Sequence, residues 1–362
     1  MQATKPTMAF TITEPAPAST TDDGTPSSNN NNIDPSKWKV HETPQDAGLM
    51  STIAVTLFLG WNGILMGLVL YFVLIAKEWE RLLILGLGTL SLVLPHHYPP
   101  YLGYKIGDWM VFQAEKYFGL KTIIENEQQL LDFSDKNKSV IFAFEPHDII
   151  PYAVFAFSPS LKRIPGKIGE DGCCLMSSAI FRTPFLRNVY SWARSFPVDK
   201  STFLERLRCG KSLTFIPGGV QEIFMLDPMN PRDLVLYLKK RKGFVKLALQ
   251  TGSPIVPVFG FHLDGSYGYW LPKGRWMELY ARYIGYFPLL FWGRWFIPYG
   301  IPYPKKIQVV VGSAMDIPRL GNNDISQDII DKYHGIFLKE MEALFERHKQ
   351  NAGYGDCHLK IC

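Results

Sequence analysis

Cysteine is scarce in this chain: five among 362 residues (Cys173, Cys174, Cys209, Cys357, Cys362), odd in number and without paired ligand spacing. That pattern argues against a disulfide framework or a zinc site and fits reduced thiols facing the cytosol. Other absences narrow the chemistry. No Gly-x-Ser-x-Gly elbow exists, which counts against a serine hydrolase. Gly210-Lys211-Ser212 has Glu205 where a phosphate-binding P-loop needs glycine. His96-His97 has no third ligand nearby, so no metal is expected. No fixed-period repeat is present, and no nucleic-acid partner is expected.

The first 46 residues hold few large apolar side chains and are rich in Pro, Ser, Thr and Asn, so residues 1–46 should be a disordered polar tail. They have no apolar stretch of the secretory type. With no arginine and six acids, they also do not resemble a transit peptide.

Beyond the tail the composition changes abruptly. From Gly48 to Ala76 runs a stretch of 29 residues without a charge. As one helix it would reach about 43 Å, against a hydrocarbon core of roughly 30 Å, so a tilted transmembrane helix is expected. Lys77 to Arg81 interrupts, and Leu82 to Leu94 is apolar again but spans only about 20 Å before Pro95 stops it. A returning arm, a re-entrant piece and an in-plane helix all fit this second run, and residues 47–97 are expected to form a membrane hairpin or single span. Three of the 38 basic and six of the 33 acidic residues lie up to Gly48, which leaves 35 against 27 beyond it. The positive part should stay on the cytosolic side.

Residues 98–362 alternate strand-like with helical stretches. Ser139 to Phe144, Leu213 to Ile216, Pro254 to Phe261 and Ile307 to Val311 are short, apolar and bounded by Gly or Pro. Thr202 to Cys209, Gly243 to Thr251 and Asp328 to His348 read as helices. The alternation predicts one layered α/β domain. The aromatic-rich stretch Tyr280 to Pro302 fits either core or a surface dipping into a membrane interface.

Two of the predicted strands end in polar turns, Glu145-Pro146-His147-Asp148 and Pro217-Gly218-Gly219-Val220-Gln221-Glu222. Carboxyl ends of strands are where α/β enzymes present catalytic groups. The pair suggests a histidine base and a carboxylate sharing one cleft, with the two glycines permitting close backbone approach to a substrate. Taken singly, His147 could equally be a core residue and Glu222 an exposed turn residue. The basic run Lys239 to Lys242 fits a solvated face as well as a phosphate site.

These blocks, with Arg241-Lys242-Gly243-Phe244-Val245-Lys246 and Val256-Pro257-Val258-Phe259-Gly260-Phe261 in the same order, resemble the type-2 diacylglycerol acyltransferase family, which includes monoacylglycerol and wax-alcohol acyltransferases. The resemblance runs from about Trp109 to the end. It implies an α/β acyltransferase domain behind an N-terminal membrane hairpin, making triacylglycerol from acyl-CoA and diacylglycerol without a further cofactor. It implies His147 as general base and Glu222 as its catalytic partner. Glu145, Pro146, Asp148, Pro217, Gly218 and Gly219 would surround the substrates, and Arg241 and Lys242 would meet the CoA phosphates. Glu145 sides with plant-type members, where animal members have His; Asp148 departs from the usual Gly or Ser. Related glycerolipid acyltransferases carry an acid five residues past the histidine, where this chain has Tyr152. The implied location is the endoplasmic reticulum membrane with the domain in the cytosol, and the lipid-droplet surface as a second site; membrane lipids would be partners and a homo-oligomer is compatible. Monoacylglycerol, a long-chain alcohol or a sterol stand as rival acceptors, and a non-catalytic lipid-binding protein as the rival of another class.

Overall fold

A computed structural model describes residues 34–227, 230, 232–271, 276, 279 and 289–362. Its elements in chain order are β1 (Lys39–Glu42), α1 (Leu49–Leu59), α2 (Trp61–Leu74), α3 (Glu78–Val93), α4 (Pro100–Phe118), β2 (Lys121–Ile124), α5 (Glu127–Asp135) and β3 (Ile141–Glu145). Next come α6 (Gly166–Glu170), β4 (Cys173–Met176), α7 (Leu186–Trp192), β5 (Ser195–Pro197), α8 (Lys200–Arg208), β6 (Leu213–Phe215), β7 (Asp233–Leu236) and α9 (Gly243–Thr251). The chain closes with β8 (Ile255–Phe261), β9 (Gly268–Trp270), β10 (Leu290–Trp292), β11 (Gln308–Val311), α10 (Gln327–Lys349) and β12 (His358–Ile361).

Eight strands form one mixed sheet in the order β1-β2-β11-β8-β3-β6-β4-β5. Side chains alternate along each strand, so each strand feeds two cores. On β3, Phe142 and Phe144 enter one core while Ile141 and Ala143 enter the other; Val256 and Val258 of β8 oppose Ile255 and Phe259 in the same way. The first core lies under α1 and α4 and the second under α8, α9 and α10. This double burial is why the central strands read as unbroken apolar runs. α10 presents Ile330, Tyr333, Phe337, Met341, Leu344 and Phe345 at helical spacing to the second core, and Ser326 caps its start by accepting the Ile329 N–H.

The membrane segment departs from expectation. No single helix among the described residues is long and apolar enough to cross a membrane; α1 and α2 reach that length only together, and they are bent by 71°. The reason is local. α1 lies on α4 and buries Ala54, Val55, Phe58 and Leu59, so the first part of the uncharged run belongs to the domain core. At the bend, a Cβ on Gly60 would stand 2.7 Å from the Thr56 carbonyl oxygen. α2 has no buried residue, and Ser91 is the one buried residue of α3. The two form an apolar helical arm, with Ser91 donating to Asn188 Oδ1 at 2.6 Å and Arg187 donating to the Leu92 carbonyl at 2.6 Å.

Of the tail expected over residues 1–46, residues 1–33 lie outside the described residues. The remainder is not a free tail. β1 pairs antiparallel with β2, Trp38 lies against the His348 ring at 4.3 Å, and Thr43 Oγ1 donates to Glu115 Oε1 at 2.7 Å. Ladder bonds and a few specific contacts hold this strand, which average composition does not register. Residues 280–288 of the aromatic stretch also lie outside the described residues.

Candidate active site

β3 and β6 are parallel neighbours with Ala143 opposite Phe215, so Glu145 and Pro217 emerge side by side at their carboxyl ends. Glu145 is fully buried, and its Oε1 accepts the Gly218 N–H at 2.7 Å. Its Oε2 has no partner among the described hydrogen bonds. Glu222 is buried too, but both its oxygens are engaged: Oε2 accepts the His147 N–H and Oε1 the Tyr237 N–H, each at 2.8 Å. Burial pushes the Glu222 carboxyl up, and the two N–H bonds it accepts oppose that shift by favouring its ionised form. Burial, then the charge of Glu222, pushes the Glu145 carboxyl well above the usual range. Glu222 is thus the ionised member of the pair and Glu145 the protonated one.

Gly218 fits here for a steric reason: a Cβ would lie 2.0 Å from Glu222 Oε1. Gly219 has φ 61°, the left-handed region that favours glycine. Arg241 leans over the Tyr237 ring at 5.1 Å and donates from Nη2 to the Gly218 carbonyl at 3.3 Å, placing a cation beside the acid pair.

The His147 ring is oriented from behind by its own chain. Nδ1 lies 2.8 Å from the Asp148 carbonyl oxygen, so it carries the proton and Nε2 is left as acceptor. Burial pushes the imidazole down to about 4, opposed by the bond to Asp148, and the ring is neutral at physiological pH. Asp148 has φ 50°, a buried side chain and an Oδ2 without a partner among the described hydrogen bonds. Burial, then the charge of Asp264, lifts its carboxyl to about 7.

A cavity of about 740 Å³ opens at His147, within the usual range for ligand sites. Its walls are mostly apolar, among them Val154, Phe155, Leu186 and Tyr190, and they extend to Phe58 and Trp61 at the α1–α2 bend. Of the residues singled out in the sequence, His147, Gly219 and Arg241 line it. Glu145, Pro146, Asp148, Pro217, Gly218 and Glu222 stand behind the wall. Lys242 is not brought to the site; its Nζ pairs with Asp331 at 2.7 Å. Glu222 reaches His147 through the backbone N–H, which donates to its Oε2. The Tyr237 N–H, the Asp148 carbonyl and the apolar walls escaped the sequence, since backbone groups and distant aliphatic residues leave no motif. Among the described residues, no group of three or more His, Cys, Asp or Glu side chains is placed to hold a metal.

A family model described as diacylglycerol acyltransferase matches residues 72–361. Diacylglycerol O-acyltransferase 2 of Dictyostelium discoideum is 32% identical over 256 residues, covering 67% of this chain and 73% of that protein. Its Danio rerio counterpart is 30% identical over 274 residues, covering 71% and 72%. The human diacylglycerol O-acyltransferase 2-like protein 6 is 28% identical over 346 residues, covering 88% and 96%. The matched span includes every site residue from Glu145 to Lys242, and this chain belongs to the diacylglycerol acyltransferase family.

Proposed function

We propose that this chain is an acyl-CoA-dependent O-acyltransferase that makes triacylglycerol from diacylglycerol, with His147 as general base. The observation that carries the base assignment is a neutral imidazole, fixed by Asp148 in the tautomer that leaves Nε2 unprotonated, on the wall of an apolar cavity. Nε2 takes the proton from the free hydroxyl of diacylglycerol while that oxygen attacks the thioester carbonyl carbon. The tetrahedral oxyanion collapses, the carbon–sulfur bond breaks, and the imidazolium returns its proton to the CoA sulfur. General-base assistance of this kind contributes on the order of 10²–10⁴ in rate. A ring held near pKa 4 is a weak base at rest, and the developing oxyanion beside it raises its proton affinity as the reaction proceeds.

Glu222 acts as a positioning residue, tying His147 to the Gly218 turn. Gly218 has already given its N–H to Glu145, so the oxyanion donor falls to the backbone at Gly219. Arg241, with the exposed Lys239 and Lys240 beside it, supplies positive charge for the CoA phosphates. The transfer is redox-neutral and calls for no cofactor. The exposed apolar arm α2–α3 inserts into the bilayer as a hairpin, which keeps an acceptor that never leaves the membrane close to the cavity. The endoplasmic reticulum, with the domain on the cytosolic face, is the location that fits the supply of acyl-CoA and the positive charge beyond Gly48.

Purified membranes given labelled acyl-CoA and a panel of diacylglycerol, monoacylglycerol, long-chain alcohol and sterol should yield labelled triacylglycerol as the main product. Wax ester or diacylglycerol as the main product would reassign the acceptor, and no acyl transfer at all would remove the enzymatic reading.

A further inference from the structure

The aromatic stretch before Pro302 divides sharply. Leu289 and Phe291 are buried, whereas Leu290 on the same strand is exposed, and its antiparallel partner Trp270 is exposed with it. The turn after β10 exposes Trp295, Phe296 and Ile297 in sequence, Phe296 by 76%. Five large apolar side chains are thus presented by β9, β10 and the next turn. Trp295, Phe296 and Tyr299 also have φ of 60°, 57° and 53°, a left-handed backbone that bulky residues rarely adopt.

That turn is held firmly. Arg294 N–H bonds the Ile301 carbonyl at 2.8 Å and Tyr299 N–H the Phe291 carbonyl at 2.9 Å. The Arg294 guanidinium donates to Thr52 Oγ1 of α1 at 3.0 Å. Backbone strain fixed in place by surrounding bonds, with the apolar side chains left outside, is typical of a contact surface rather than of a core.

Its neighbour identifies the occupant. A Cβ on Gly63 of α2 would lie 2.9 Å from the Tyr299 carbonyl oxygen, so the aromatic turn abuts the first turn of the apolar arm. The exposed surface is therefore continuous with α2, whose Val69, Leu70, Val73 and Leu74 are exposed as well. Trp and Phe beside an arginine match the headgroup level of a bilayer, where amphipathic rings sit. We propose that the turn Trp295-Phe296-Ile297, with Trp270 and Leu290, is a second membrane contact: an interfacial wedge that seats the domain on a phospholipid surface. It rests on the arm being in the bilayer, and it adds that the domain itself touches the lipid.

The test uses the full chain with Cys209, Cys357 and Cys362 replaced by serine, reconstituted in phosphatidylcholine vesicles. A fluorophore is placed in turn at Phe296→Cys, at Val73→Cys on the arm and at Glu342→Cys on α10. Quenching by lipid-borne nitroxides should be strong at positions 73 and 296 and weak at 342, with aqueous iodide giving the reverse order. Lipid quenching at 73 but not at 296 overturns the wedge and leaves the arm in place; aqueous behaviour at both removes the membrane arm itself. Cross-linking of Phe296→Cys to a second copy, with no lipid quenching, would show the face to be a dimer contact and overturn the proposal.

Discussion

The strand-end cleft and the α2–α3 arm are opposite ways of placing a side chain. In the cleft, buried bonds to the backbone set the geometry: Glu222 accepts from His147 and Tyr237, and Glu145 takes the Gly218 N–H. In the arm, α2 buries nothing against the domain and α3 is tied down mainly at its end, around Ser91. Geometry in the first region is set by the protein alone, whereas the second region depends on its solvent. Changes in the cleft should therefore register in the folded molecule, and changes in the arm chiefly in its surroundings.

The largest loss of stability is expected from Glu222→Gln. Its amide cannot accept from both the His147 and Tyr237 N–H groups, and leaving one buried donor unpaired costs about 1–3 kcal/mol. Acyl transfer should fall with it, through misplacement of His147. Glu145→Gln, by contrast, replaces a protonated acid with a neutral isostere and should keep most stability and activity. If thermal melts and rates show the two substitutions to be equally harmful, the assignment of charge within the pair is wrong.

Next comes truncation. Removing residues 1–33 should leave melting temperature and activity unchanged, since the composition of that segment supports no core. Removal through Pro44 should lower the melting temperature, because it strips β1 from the sheet and takes Trp38 from His348 and Thr43 from Glu115. Equal melting curves would mean that β1 contributes nothing to the domain. Smaller still should be Val73→Ser on the arm: unchanged melting in detergent, with weaker retention in membranes after an alkaline wash. A lower melting temperature would show the arm to be packed on the domain.

Much of this contrast was legible in the sequence. The strand runs ending at Phe144 and Ile216 and the helices over Gly243 to Thr251 and Asp328 to His348 lie where hydrophobic pattern placed them, because each sheds its side chains into a core at the period of its own geometry. His147 and Glu222 were brought near one another by the adjacency of β3 and β6. The form of their contact was not legible, since it runs through a backbone N–H that any residue at position 147 would supply. The uncharged run misled for a related reason: apolar side chains suit a protein core as well as a lipid, and α1 is covered by α4. Lys242 read as part of a basic cluster, although Asp331, distant in sequence, claims its charge.

The smallest structural effect should belong to the residue with the largest functional one. His147→Ala leaves a half-buried position and should not lower the melting temperature at neutral pH. It should even spare the chain some acid sensitivity: with its folded value near 4 and its unfolded value near 6.5, His147 costs the wild type stability as pH falls through that window. The direct test is labelled acyl transfer to diacylglycerol by wild type and His147→Ala, at equal abundance in equally purified membranes. Loss of triacylglycerol synthesis by at least about 10²-fold, with melting unchanged, is the predicted result; activity within a few-fold of wild type would contradict His147 as the base.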